Sequence, residues 1–250
     1  MLDSVLLYLG LALVFVGLLS LVRPLRFLRI RTRMAAATVA SIGLLLVVVI
    51  LALPARNRQV TSAQTRLDDW MPAWQFAESH VVHVRAAPNE VFNAIRAVRA
   101  DEILLFRTLI AIRRCGQSGP EDILNAPEQQ PLLDVATATT FVVLADEPPR
   151  EFVVGTVVAQ PADFSVAGEL RPEMFRKALP PGVALAAMNF LVLPNERGGS
   201  IVSSETRVNA NSAGARRRFA IYWRIIHPGS DIIRRMWLRA IKRRAEVLSK

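Results

Sequence analysis

"VALAAMNFLVLP" (Val183–Pro194) and "SIVSSETRVNA" (Ser200–Ala210) flank the five residues "NERGG". In the second run Val202, Ser204, Thr206 and Val208 alternate with Ile201, Ser203, Glu205, Arg207 and Asn209. A period of two with one more polar face belongs to a half-buried antiparallel strand. A short Gly-containing link between two such runs predicts a hairpin. Upstream, "TTFVVLAD" (Thr139–Asp146) and "REFVVGTVVA" (Arg150–Ala159) are joined by "EPP" and predict another.

Before the hairpins, "SHVVHVRA" (Ser79–Ala86) predicts a strand. In "APNEVFNAIRAV" (Ala87–Val98), Val91, Phe92, Ile95 and Val98 share one helical face, with Asn89 as N-cap. "ADEILLFRTLIAIRR" continues the helical period through Ile103, Leu104, Phe106, Leu109, Ile110 and Ile112, and residues 116–131 form a Gly/Pro/Gln-rich loop. After the hairpins a long helical segment starts near Ser212, with a break predicted at "HPGS", where Pro228 removes a backbone donor. Beyond it Ile233, Met236, Trp237, Ala240 and Ile241 line one side, while Arg234, Arg235, Arg239, Lys242 and Arg243 line the other. The order is strand, two short helices, antiparallel strands and a long amphipathic helix. That is an α+β class in which the last helix covers the sheet.

The N-terminal part has a different character. Residues 4–22 and 34–53 are uncharged runs of 19 and 20 residues. About 20 apolar residues span a hydrocarbon core of about 30 Å, and a buried soluble helix rarely stays apolar all round. A cleavable leader fits poorly, because "MLDS" has Asp3 and no basic residue and no small-residue cleavage site closes the run. Residues 1–53 therefore read as a transmembrane hairpin. Its loop, 23–33, carries Arg23, Arg26, Arg29, Arg31 and Arg33 and no acid. Short basic loops stay in the cytoplasm, which predicts a multi-pass protein of the cell (inner) membrane with its soluble domain extracytoplasmic. Residues 54–77, with Trp70 and Trp74, form a tether, and 78–250 the domain.

The net charge of +10 first suggests nucleic acid, but residues 54–250 hold 26 basic against 20 acidic residues, a surplus that selects no partner. No nucleic acid is expected, since no basic strand is interleaved with aromatics. The single Cys115 cannot form an internal disulfide, and no Cys/His cluster has metal-ligand spacing. No metal and no cofactor are expected.

Two segments carry a resemblance. "RAAPNEVFNAI" resembles the opening of the START-like (SRPBCC) superfamily, which includes polyketide cyclases and lipid-transfer proteins: a strand, Ala-Pro, two residues, then Val and an aromatic entering the first helix. "ETRVNANSAGARRRFAIYWRIIHPGSDIIRRMWLRAIKRRAE" is similar to the close of a bacterial subgroup, a strand ending in Glu-Thr-Arg-Val before the long helix. The resemblance covers about residues 78–248. It implies a helix-grip fold, a curved antiparallel sheet around the C-terminal helix, with a cavity for an apolar ligand. The N-terminal hairpin lies outside it.

Few residues suggest chemistry. His80 and His83 fall on opposite faces of a strand, which argues against a shared metal. His227 reads as a turn residue beside Pro228. "GQSGP" lacks the spacing of a nucleophile elbow. No catalytic residue is assigned. Glu205 and Arg207 share a strand face, either as polar anchors of a cavity or as a surface ion pair. Asn189 is either bonded in the core or open to the cavity. Phe190 stands near small residues (Ala184, Ala186, Ala187), and Tyr222 and Trp223 begin the last helix. Phe190, Glu205, Arg207, Tyr222 and Trp223 are the expected ligand contacts. Arg216–Arg218 form either a site for anionic headgroups or a solvated face. The expected function is a membrane-anchored START-like domain that binds or carries an apolar small molecule, a lipid above all. The alternatives are a cyclase-like enzyme using the same cavity and a non-binding interaction module.

Overall fold

The computed structural model describes residues 2–23, 25, 28, 30, 32–113, 123, 125–164 and 170–248; Arg26, Arg29, Arg31, Cys115 and "GQSGP" lie outside the described residues. The chain divides into two compact units, one of Met1–Ala55 with Ala220–Pro228, the other of Arg56–Phe219 with Gly229–Lys250.

In the first unit, α1 (Leu2–Val22) packs against α2 (Arg33–Ala52). Both helices are long and apolar enough to cross a membrane. Thr32 starts α2 by accepting a hydrogen bond from the amide of Ala35 at 3.1 Å, as an N-cap should. The buried surface combines small residues (Ser4, Gly10, Gly17, Ser20, Ala36 and Gly43) with Leu7 and Ile50. A Cβ on Gly17 would lie 2.6 Å from the Ala40 nitrogen, and one on Gly43 2.7 Å from the Gly10 carbonyl oxygen. Gly10 meets Val47, Gly17 meets Ala40 and Gly43 meets Val14, so the helices run antiparallel. Large apolar side chains such as Phe15, Leu18, Leu45 and Val48 point outward instead. Small residues at a helix contact let the two backbones approach closely.

The second unit is built on a five-stranded antiparallel sheet, and its secondary structure begins within residues 54–77. Elements in chain order are β1 (Arg58–Gln59), α3 (Arg66–Trp70), β2 (Ala73–Trp74), β3 (Phe76–Val84), α4 (Pro88–Ala97), α5 (Phe106–Arg113), α6 (Leu132–Thr139), β4 (Val142–Glu147), β5 (Glu151–Ala159), β6 (Ala184–Pro194), β7 (Ser200–Ala210) and α7 (Ala213–Leu248). The main sheet has the order β3-β7-β6-β5-β4, and β1 pairs with β2. Phe190 stands opposite Ser204, and Asn189 opposite Glu205. One face buries Phe152, Val154, Met188, Phe190, Val192 and Val202 against Trp237, Leu238 and Ile241 of α7 and Val91, Phe92 and Ile95 of α4. The other buries Val153 and Ala187 beneath Leu67 and Met71 of the 65–75 segment.

Four local expectations change. Helix α7 runs through Pro228 without a break, its residue 227 helical and buried, so His227 is not a turn residue. Proline removes one donor, which leaves the Arg224 carbonyl without its i+4 partner, while the apolar stripe continues on either side. Helix α4 starts two residues earlier than Asn89 as N-cap predicts, with Ala87 in the cap position. Pro88 takes the first helical position, where its missing donor is harmless, and the Glu90 carboxylate accepts from the Ala87 amide at 2.9 Å. The third segment splits into a short 3-10 turn (Ala100–Glu102) and α5, separated by Leu105 at φ 62°. Helix α6 is additional, held by Leu132, Leu133, Val135 and Ala136, all buried.

Candidate functional site

The face of the sheet under α7 is mostly apolar; Thr156 and Ser200 there each donate to a backbone carbonyl, and the remaining polar groups gather in one patch. Even-numbered residues of β3 point inward, so Glu78 and His80 enter this layer, opposite Thr206 and Ser204 of β7. Helix α7 supplies Asp231, Arg234 and Trp237. His80 Nε2 is 3.1 Å from Glu78 Oε1 and 3.5 Å from Asp231 Oδ1, and Asp231 also accepts from Arg235 Nε at 2.8 Å. Arg234 lies over the Trp237 ring, 5.5 Å from its centroid, and its guanidinium touches the Met188 sulfur. Burial draws the Arg234 guanidinium below its ordinary pKa, and the charge of Glu78 opposes that pull.

Three buried atoms here have no hydrogen-bond partner among the described residues: Glu78 Oε2, Ser204 Oγ and Trp237 Nε1. An orphaned buried polar group costs about 1–3 kcal/mol, and such groups are few in native proteins. Three in one layer supply two donors and one acceptor facing the surroundings of Phe190 and Met188. The arrangement can hold the polar end of an otherwise apolar molecule. It does not assemble a nucleophilic relay. Both carboxylates meet the same ring nitrogen of His80, and Ser204 Oγ bonds to neither His80 nor a carboxylate, whereas a relay needs a continuous chain from hydroxyl to imidazole to carboxylate. Among the described residues no group of three or more His, Cys, Asp or Glu is placed to hold a metal ion.

The expected ligand contacts are distributed. Phe190 lies in the inner layer, with its ring edge-on to Trp237 at 5.1 Å. Glu205 and Arg207 lie on the opposite face, so the sheet separates them from Phe190. Their ion pair is present at 2.7 Å, and Arg207 also binds Asp68 at 2.7 Å, donates to the Met71 carbonyl at 3.2 Å and covers the Trp74 ring at 4.0 Å. Asn189, on that same face, is bonded in the core. It donates to Glu151 at 2.7 Å and accepts from the Glu205 amide at 3.0 Å. Fully buried Glu151 accepts from the Arg66 and Leu67 amides as well, which roots α3 on the sheet. Tyr222 and Trp223 belong to the first unit, where Trp223 meets the His227 ring at 5.3 Å. The outer face also carries a cleft of about 460 Å³ between Trp70–Ala73 and Phe175–Leu185. Lys177, Asn209 and Asn211 are among its lining residues, and the two asparagines donate to the carbonyls of Ala73, Leu179 and Pro180.

Sequence reasoning missed Glu78, Ser204 and Asp231. Their one signal was polarity at positions that the strand and helix periods turn inward. No family model matches the chain, and neither does any curated protein or solved structure. Fold and site define a class: an α+β domain with an antiparallel sheet under a long C-terminal helix, on a chain that also has two helices long and apolar enough to cross a membrane.

Proposed function

We propose that this is a membrane-anchored domain of helix-grip, START-like kind that binds or carries an apolar small molecule, a lipid, between its sheet and α7. The N-terminal pair forms a transmembrane hairpin with the arginine loop in the cytoplasm and the domain outside. The observation that carries the ligand reading is the set of unpartnered Glu78 Oε2, Ser204 Oγ and Trp237 Nε1 in an apolar layer. A hydroxyl-bearing head suits it, because such a group donates to Glu78 and accepts from Ser204 and Trp237. A carboxylate head would face Glu78 and Asp231.

The test is photolabelling of the full chain in lipid nanodiscs with a diazirine-bearing fatty alcohol. Adducts are expected on the peptides around Glu78–Val84 and Asp231–Trp237, reduced severalfold in a Ser204→Ala/Trp237→Phe double variant. Adducts confined to α1, α2 or the outer cleft would overturn the site. Chemical conversion of the bound probe would turn the reading towards an enzyme.

A further inference from the structure

Arg224 lies on the part of α7 that belongs to the first unit, and it is 5% exposed. Its Nη2 donates to the carbonyl of Leu53, the C-cap residue of α2, at 2.8 Å. The last carbonyls of a helix lack internal partners and carry partial negative charge, which suits a guanidinium. Holding Leu53 occupies only one of the three nitrogens. Nε and Nη1 are buried as well, and neither has a hydrogen-bond partner among the described residues. The carboxylate of Asp3, in the first turn of α1, lies 3.7 Å from Nε, within ion-pair range but too far for a hydrogen bond. Tyr8 donates its hydroxyl to the Ile225 carbonyl at 2.8 Å, which fastens the next residue of the segment to α1. A buried charged group with donors left idle is costly, and more so than a neutral one.

The pair matches a head of both signs. The idle donors of Arg224 call for an anion, and Asp3, 53% exposed, calls for a cation beside it. A purely anionic head would meet the Asp3 carboxylate at close range, and like charge there disfavours it. A phosphoethanolamine head satisfies both groups: its phosphate accepts from Arg224, and its primary ammonium donates to Asp3. A phosphocholine head has no N–H to donate. Asp3 precedes the first apolar run and Leu53 closes the second, so both stand at one end of the antiparallel hairpin. On the membrane reading proposed above, the ends of the apolar runs mark the headgroup level. We infer that Arg224 and Asp3 form a binding site, within the first unit, for a phospholipid with a phosphoethanolamine head. This rests on the membrane reading, but not on the ligand reading.

The test offers the delipidated full chain, in detergent, an equal mixture of dioleoyl phosphatidylethanolamine, phosphatidylcholine and phosphatidylglycerol, and weighs the retained lipid by native mass spectrometry. Phosphatidylethanolamine should be retained severalfold over the other two. Arg224→Gln should abolish that retention. Asp3→Asn changes a half-exposed side chain and leaves the Leu53 contact in place. It should keep lipid bound but remove the preference over phosphatidylglycerol, which decides the matter even where Arg224→Gln fails to fold. Equal retention of the three lipids, retention of none, or a preference untouched by Asp3→Asn would overturn the site. A fluorophore at Leu45→Cys in a Cys115→Ser chain, on the outward side of α2, reports the membrane reading separately in nanodiscs. Quenching there by lipids with a mid-chain doxyl group, without any preference for phosphatidylethanolamine, overturns the site alone. Absence of that quenching overturns the membrane reading with it.

Discussion

The Arg207 guanidinium lies 2.7 Å from the Asp68 carboxylate, and so fastens the α3 segment to the outer face of the sheet from β7. Both side chains are 8% exposed, and each is tied down further. Asp68 accepts from the amides of Gln64 and Thr65 at 2.9 and 3.0 Å, and Arg207 also holds Glu205. Removing one partner of a buried pair leaves a charge unpaired, which costs about 3–5 kcal/mol. Arg207→Ala should therefore lower the urea midpoint of the full chain in detergent by that equivalent. Arg85→Ala removes a contact from a 90% exposed side chain and should change it little.

The same carboxylate sets a pH dependence. Burial pushes the Asp68 carboxyl up, but the Gln64 and Thr65 amides and the Arg207 guanidinium outweigh it and hold it below the usual 3.8. A depressed folded value means that ionised Asp68 stabilises the fold fully above the unfolded value. The contribution fades as pH falls below about 3.8 and through the folded value. Thermal midpoints recorded from pH 6 down to pH 2 should show a steeper acid loss for the natural chain than for Asp68→Asn. Parallel curves would remove Asp68 from the acid transition.

Trp237 separates packing from hydrogen bonding. Its ring is 3% exposed against Phe190, while its Nε1 has no partner among the described residues. Trp237→Ala should cost about 3–5 kcal/mol, as a large core truncation does. Trp237→Phe keeps a ring and deletes the orphaned donor, so its cost should be much smaller, measured by the same unfolding. Equal losses for both would mean that the indole nitrogen is bonded in the folded protein.

Local periodicity made the scaffold legible and left the site obscure. Alternation from Ile201 to Asn209 identified β7, and the Ile233-to-Ile241 stripe identified the face of α7 that meets the sheet, because each pattern is dictated by a nearby apolar layer. Pro228 was misleading, since one lost backbone bond is a smaller loss than the packing on both sides of it. Helix α6 gave no signal, because Thr137, Thr139 and Val135 favour strands and only the burial of Leu132 and Leu133 makes the segment helical. The meeting of Glu78 and His80 with Ser204 depends on the register of β3 against β7. Register is a tertiary quantity that neither strand declares alone.

The hairpin contact is sensitive to size at the glycines. Gly17 and Gly43 lie where an added Cβ would meet backbone atoms at 2.6 and 2.7 Å, and backbone cannot yield as a flexible side chain can. Gly17→Leu or Gly43→Leu should force α1 and α2 apart at an overpacking cost of roughly 1–3 kcal/mol, read as a lower thermal midpoint in detergent. Leu18→Val, on the 54% exposed outer face, should leave it unchanged.

Orientation follows from the arginines on either side of the second apolar helix. Arg23, Arg26, Arg29, Arg31 and Arg33 lie between the two helices, while only Arg56 and Arg58 follow closely after α2. Asp3 at the other end adds no positive charge. Each basic residue in a short loop resists translocation, so on the orientation proposed above the denser loop should be retained in the cytoplasm and the chain after Ala55 exported. A reporter fused after Lys250 that is active only outside the cytoplasm should give signal in cells. Changing the five loop arginines to glutamine leaves Arg56 and Arg58 as the dominant charges, and the signal should then fall as the orientation mixes or inverts. A fusion active only in the cytoplasm for the natural chain would reverse the assignment, and with it the side of the membrane proposed for the domain that carries Glu78 and Ser204.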